Sequence, residues 1–86
     1  MPTDADSTEA TTVLDLRPLI PPERHATVFA ALERLLPGES FVLINDHAPL
    51  PLLRHIEANW PGLFESAWLK DGPEEWQLAI TRTAEA

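Results

Sequence analysis

Apolar and polar residues are arranged along the chain in patterns that predict four strands and two helices. Alternation over residues 13–17 and again over residues 76–81 is typical of half-buried strands. A continuous apolar run over residues 41–45 predicts a central strand, and residues 63–69 predict a further one. Two segments between these strands have helical spacing. Their apolar positions are Val28, Phe29, Leu32, Leu35 and Leu36 in the first segment, and Leu52, Leu53, Ile56 and Trp60 in the second.

Proline and glycine mark the ends of these segments. Pro22 suits the first turn of a helix, where its missing N–H costs nothing. A proline–glycine pair ends each helical pattern, at residues 37–38 and 61–62. Residues 70–73 have the composition of a tight turn. The predicted order is therefore β-α-β-α-β-β.

This order predicts an α/β (α+β) two-layer sandwich with a four-stranded mixed sheet. The first two strands are joined through a helix, so they should be parallel, with a right-handed crossover. The last two are joined by a tight turn, so they should form an antiparallel hairpin. Two helices can cover only one face of four strands, which leaves the other face open.

The open face is the predicted contact surface for another protein. Trp60, Trp68 and Trp76 are a heavy aromatic load for a small domain, and they fill either the core or this face. Exposed apolar area on a sheet often marks an interface. We therefore expect a protein partner there, and the chain itself to be a monomer or a weak homodimer.

Composition narrows the classes of function. The 86 residues include fourteen acids, six bases and no cysteine, and the formal charge is −8. The acidic balance argues against a nucleic-acid partner. The absence of cysteine excludes disulfides, a thiolate zinc site and a cysteine nucleophile.

The acidity is concentrated at the ends of the chain. Residues 1–11 read as a flexible acidic tail, residues 12–83 as a single domain, and residues 84–86 as a short second tail. The tails hold four of the fourteen acids, so residues 12–83 carry a charge of −4. No secretory signal or membrane-spanning segment is recognisable, and the expected location is the cytoplasm.

The first strand and its loop resemble a known sulfur-carrier fold. Residues 14–23, LDLRPLIPPE, are similar to the start of the TusA/SirA-like fold, which has the same order of elements. That family carries a Cys-Pro pair at the tip of its first helix. Pro21 stands at the cysteine position here. The resemblance therefore implies a TusA-like fold without persulfide transfer, because a persulfide needs a cysteine sulfur.

A closer resemblance is to domain-of-unknown-function family 2249, an uncharacterised bacterial family grouped with the TusA-like superfamily. The matching pieces are LDLR at 14–17, PERH at 22–25, PGE at 37–39, NDH at 45–47, PLL at 51–53, and GPE at 72–74 followed by Trp76. The resemblance implies the fold and suggests a context in bacterial redox or respiratory metabolism. It assigns no reaction.

One corner of the predicted fold gathers polar residues. The carboxyl ends of parallel strands lie beside the amino ends of the following helices, where ligands often bind. The candidate ligand-binding residues at this edge are Arg17, Arg24 and His25 after the first strand, and Asn45, Asp46 and His47 after the second. Five of the nine prolines, at positions 18, 21, 22, 49 and 51, stiffen the same edge.

Two kinds of ligand fit these residues. His25, Asp46 and His47 are a reasonable donor set for a divalent metal or a haem. A small anion could instead bind to Arg17 or Arg24 at the helix amino ends. On a helical wheel His25 points toward the sheet. His55, about two turns along the second helix, is expected to lie too far away to join.

Each of these residues also has a purely structural interpretation. His25 could hydrogen-bond a loop carbonyl, Asp46 could cap the second helix, His47 could be a turn residue, and Arg24 could brace a loop. The chain contains no catalytic triad motif, P-loop or dinucleotide-binding glycine pattern. We therefore expect a non-catalytic interaction domain without catalytic residues, cofactor or membrane partner. One alternative is a metal- or small-ligand-binding protein that uses His25, Asp46 and His47, with or without Arg24. A second, weaker alternative is a minor enzyme built on the same corner.

Overall fold

The computed structural model describes residues 12–83, which form four strands and two helices in the predicted order. The elements are β1 (Thr12–Asp15), α1 (Pro21–Arg34), β2 (Ser40–Asn45), α2 (Leu50–Asn59), β3 (Phe64–Asp71) and β4 (Trp76–Arg82). The predicted tails, residues 1–11 and 84–86, lie outside the described residues.

The four strands form one mixed sheet in the order β1-β2-β4-β3. β1 runs parallel to β2, and β4 runs antiparallel to both β2 and β3. The predicted parallel pair and the predicted hairpin are therefore both confirmed. β2 lies inside the sheet, as its continuous apolar run indicates, because side chains on both of its faces are shielded.

The core lies between the two helices and one face of the sheet. Its buried side chains are Val28, Leu32 and Leu35 from α1 and its end, Leu52 and Ile56 from α2, and Leu16, Phe41, Leu43, Leu78 and Ile80 from the sheet and the loop after β1. Each helix contributes residues three or four positions apart, which is the spacing of one helical face.

The first helix ends earlier than its apolar pattern predicts. Leu35 has extended backbone angles, with φ −71° and ψ 126°, so the helix stops at Arg34. Pro37 favours this ending, because a proline restricts the preceding residue to an extended conformation. Leu36 therefore leaves the helical face and is 61% exposed, and its assignment to the buried stripe is wrong.

The open face of the sheet has a short apolar row across all four strands. Paired residues in neighbouring strands share a face, and the pairing runs from Val13 to Val42, Ala79 and Ala67. In the next row, Ser40, Thr81 and Glu65 are polar. The open face thus has a narrow strip of small aliphatic side chains beside a polar row.

The tryptophans lie elsewhere. Trp68 pairs with Leu78, and Trp76 pairs with buried Asn45, so both belong to the helix-covered face. Their rings meet edge to face at 5.6 Å, although Trp68 stays 42% exposed. Trp60 contacts the rings of Phe29 and Phe64 beside the helices. Of the two interpretations, core packing describes Trp60, whereas Trp68 remains exposed beside Trp76 on the helix-covered side of the sheet.

The turn between β3 and β4 is fitted to Trp76. Gly72 has φ +90°, a conformation that residues with a side chain rarely adopt. A Cβ atom at Gly72 would lie 2.6 Å from Cζ2 of the Trp76 ring. Glycine at this position therefore lets the turn close over the indole.

Candidate functional site

A cleft opens at the corner that the sequence indicates, where β1 and β2 end and both helices begin. Its volume is about 230 Å³. The lining residues are Leu16, Pro21, Arg24, His25, Asn45, His47, Pro49, Pro51 and Leu52. Four of the six candidate residues and three of the five prolines at this edge are among them. Arg17 and Asp46 do not line the cleft.

Arg24 ties together the two loops that frame the cleft. Its Nε–H donates to the carbonyl oxygen of Leu19 at 2.7 Å, and Nη2 donates to that of Arg17 at 3.1 Å. Nη1 donates to Oδ1 of Asn45 at 2.7 Å, and the two terminal nitrogens share the Asp46 carboxylate at 3.0 and 3.2 Å. A guanidinium has five N–H groups, and this set uses all five. Arg24 therefore braces the loops and has no N–H left for an anion.

Asn45 connects Arg24 to the second loop. It is buried, with 3% of its surface exposed. Its Oδ1 accepts from Arg24, and its Nδ2 donates to the backbone carbonyl of His47 at 3.1 Å. A buried amide without such partners would be costly. The pairing therefore fixes the backbone of the loop that presents His47.

Asp46 is an ionised partner between a guanidinium and an imidazole. The hydrogen bonds from Arg24, and secondly from His47 at 2.7 Å, hold the pKa of the Asp46 carboxyl well below its usual range. Asp46 does not cap α2, because that helix follows Pro49 and receives no side-chain cap. Since His47 Nδ1 faces Asp46, the other ring nitrogen of this exposed histidine points away from the pair.

The lowered pKa of Asp46 predicts a specific loss of stability in acid. A carboxyl group whose pKa is lower in the folded than in the unfolded state stabilises the fold at pH values above the unfolded-state pKa, which is about 3.9 for aspartate. That contribution to stability is lost as the pH falls through the folded-state pKa. Asp46→Asn should therefore be less stable than the wild type at pH 7, and the gap should narrow below about pH 4. Urea unfolding at pH 7, 5, 4 and 3 measures it, and a gap independent of pH would contradict the assignment.

His25 points to the second helix and not to the sheet. Its Nε2 lies 2.9 Å from Nδ1 of His55, and its ring stacks on Phe29 with centroids 4.6 Å apart. The expectation that His55 lies too far away is therefore wrong. The sequence contains a signal for this pair, since each histidine lies near the apolar positions of its own helix, and two helices on one sheet face bring such positions together.

The two histidines of the predicted metal set have different partners. His25 contacts His55, whereas His47 contacts Asp46. Within residues 12–83, no group of three or more histidine, cysteine or acidic side chains is arranged to hold a metal. The geometry gives no support to His25, Asp46 and His47 as one donor set, and metal or haem binding there stays a prediction.

Arg17 belongs to a different part of the edge. It forms a bidentate pair with Asp15, at 2.7 and 2.9 Å, and lies 3.5 Å from Glu75 of the hairpin. The hydrogen bonds from Arg17 lower the pKa of Asp15 to about 2. A shallow depression of about 550 Å³ separates Arg17 from the hairpin turn around Pro73. Only the backbone carbonyl of Arg17 takes part in the Arg24 network.

The candidate cleft lies within a segment that matches a known family. Residues 13–82 match the family described as "Uncharacterized conserved protein (DUF2249)". The chain belongs to this family. Searches of the curated proteins and of the solved structures each found no significant match. Membership confirms the resemblance to family 2249, while the TusA-like grouping and the bacterial source stay predictions.

The DUF2249 fold leaves the cleft with few free polar groups. The polar side chains of this corner form hydrogen bonds with one another and with the two loops, and they are Arg24, Asn45 and Asp46. What remains toward the cleft is largely the apolar surface of Leu16, Leu52 and the prolines. Neither helix among residues 12–83 of this DUF2249 chain is long and apolar enough to cross a membrane.

Proposed function

We propose that this DUF2249 chain is a non-catalytic interaction domain, and that its cleft receives one apolar side chain of a protein partner. The observation that carries the proposal is the internal use of every Arg24 N–H, because it turns the polar corner into a rigid frame around an apolar depression. A frame of this kind is preorganised, which reduces the entropic cost of binding.

The size of the cleft supports a side chain as its occupant. Pockets for small molecules and cofactors typically have volumes of about 300–1,000 Å³. The cleft has about 230 Å³ and opens to solvent. A leucine- or phenylalanine-sized side chain from a partner fits this volume, and its burial against the apolar lining is favourable because apolar surface is removed from water. Residues 12–83 carry a net charge of −4, which favours a partner whose surrounding surface is basic.

The chemistry of the chain supports a binding role over group transfer. The chain has no cysteine and Pro21 stands at the first helix tip, so a protein-bound persulfide has no sulfur to form on. His47 and Asp46 form a hydrogen-bonded pair, but no nucleophile in the Arg24 network accompanies them. The absence of catalysis stays a prediction of the proposal.

The open sheet face is the second candidate for a protein contact. Its apolar row consists of Val13, Val42, Ala79 and Ala67, whose small side chains bury little area. Interface energy comes mainly from a few large anchors set in pockets. We therefore place the primary contact in the cleft and keep the open face as a secondary one.

The cleft can be tested with a probe that carries only the proposed anchor. N-acetyl-leucinamide and N-acetyl-phenylalaninamide should shift backbone amide signals of the cleft-lining residues in ¹⁵N NMR spectra, and N-acetyl-alaninamide should do so much less. Pro51→Trp should block this binding, because an indole at the rim fills the cleft. Affinities in the millimolar range are expected for a single side chain.

Pro61→Trp provides the matched control, because Pro61 is exposed at the opposite end of α2. It should bind the leucine probe like the wild type. A native partner found with the wild type should likewise be kept by Pro61→Trp and lost by Pro51→Trp. Probe shifts scattered over the surface, or unchanged binding in Pro51→Trp, would refute the cleft as the docking point.

A further inference from the structure

His25 and His55 hold two ring nitrogens together on neighbouring helices, in a contact that the proposed function does not use. The two ring centroids are 5.0 Å apart and the planes are tilted by 52°. Phe29 stacks on His25 and meets His55 edge to face at 5.2 Å. Phe29 therefore supports both imidazoles, and neither ring depends on the other alone for its position.

The 2.9 Å separation between Nε2 of His25 and Nδ1 of His55 describes a shared proton. In such a pair one nitrogen donates its N–H and the other accepts it with its lone pair. A divalent cation can take the place of that proton, because both nitrogens then offer lone pairs. The donating imidazole then carries its N–H on its other ring nitrogen, by proton exchange with water, so a neutral pair binds the metal with no net release of a proton.

The separation places both nitrogens within reach of one ion. Two imidazole nitrogens on one ion, each bonded at about 2.0–2.1 Å, are about 2.9 Å apart at a 90° angle and about 3.3–3.4 Å apart at a tetrahedral angle. Small turns of the rings take the two nitrogens from their hydrogen-bonded spacing of 2.9 Å to either value. Cu²⁺ and Ni²⁺ suit a site of histidine nitrogens and water, and they prefer a square-planar arrangement of such ligands.

We propose that His25 and His55 form a two-histidine chelate for a divalent transition-metal ion, with Cu²⁺ the preferred one. Water completes the coordination, and each imidazole turns about its side-chain bonds to aim its lone pair at the ion. Cu²⁺ also stands highest in the general affinity order of the first-row divalent metals. This chelate uses His55 in place of Asp46 and His47, so it differs from the donor set that the sequence predicts.

Titration of the tag-free protein with copper sulfate tests the chelate. Electron paramagnetic resonance should report one Cu²⁺ with nitrogen ligands, and tryptophan fluorescence should fall, since Trp60 lies beside Phe29 with ring centroids 5.5 Å apart. His25→Gln and His55→Gln should each weaken Cu²⁺ binding at least about tenfold. Ni²⁺ and Zn²⁺ should bind the wild type more weakly than Cu²⁺.

His47→Gln is the matched control, because it removes an exposed histidine of the cleft and leaves the pair intact. It should bind Cu²⁺ like the wild type. Circular dichroism and urea unfolding of each metal-free variant establish that the comparison is made between folded proteins. Equal affinity of the wild type and His55→Gln would overturn the chelate, as would a loss in His47→Gln as large as that in His25→Gln.

Discussion

Arg24→Ala is expected to lower the free energy of unfolding by about 2–4 kcal/mol. Arg24 makes five hydrogen bonds, and its side chain is only 17% exposed. Removing the guanidinium leaves buried Asn45 Oδ1 and the carbonyl oxygens of Leu19 and Arg17 without their donor. Unsatisfied buried acceptors cost more than the original bonds contributed, which makes this single change large.

Arg24→Lys separates geometry from charge. Lysine keeps the positive charge but lacks the planar fork, so it cannot serve Leu19 and Asn45 together while still pairing with Asp46. We expect it to lose most of the stability that Arg24→Ala loses. Arg54→Ala is the control, because Arg54 is exposed on α2 and a surface change of this kind is usually small. Urea unfolding measures all three variants.

The same variants connect stability to the cleft. In Arg24→Lys the loops after β1 and β2 lose their common tether, so binding of N-acetyl-leucinamide should weaken even where the protein remains folded. The pKa of the Asp46 carboxyl should rise in Arg24→Ala, since its largest cause of lowering is gone. Unchanged stability in Arg24→Lys would mean that a positive charge alone stabilises the two loops. The proposal of a frame preorganised by the Arg24 hydrogen bonds would then be wrong.

The order of elements is predictable from the sequence because it depends on local signals. Alternation marks β1 and β4, the run at residues 41–45 marks the inner strand, and proline–glycine pairs end both helices. The position of the cleft follows from the same reasoning, since parallel strands bring their carboxyl ends to one edge. The strand order β1-β2-β4-β3 was not predicted, because it depends on which strands pair across the sheet.

The contacts within the site were less predictable, because they depend on lateral packing. Helical spacing shows that His25 shares the side of Val28 and Leu32, but it does not show which neighbouring helix covers that side. In the structure His55 lies there. Asp46 precedes a helix and suits a cap by type, yet Arg24 reaches it across twenty-two positions of sequence. A periodicity along one element carries no information about such partners.

Leu32→Ala is expected to destabilise the fold by about 2–5 kcal/mol, and Leu36→Ala by less than about 0.5 kcal/mol. Periodicity alone assigns both leucines to one buried stripe. In the structure Leu32 is 2% exposed and Leu36 is 61% exposed, because the helix ends at Arg34. The same substitution at two positions four residues apart therefore tests whether α1 ends at Arg34, as in the structure, or continues through Leu36, as the apolar pattern predicts.

Urea unfolding of both variants, with the slope of the transition as a check on two-state behaviour, provides the comparison. A cost of 2–5 kcal/mol is a large part of the 5–15 kcal/mol that typically holds a small domain together, so Leu32→Ala should unfold at a much lower urea concentration. Similar losses in the two variants would mean that α1 continues through Leu36. The residues after it would then shift, including Glu39, whose carboxylate accepts from the Leu36 N–H at 2.9 Å.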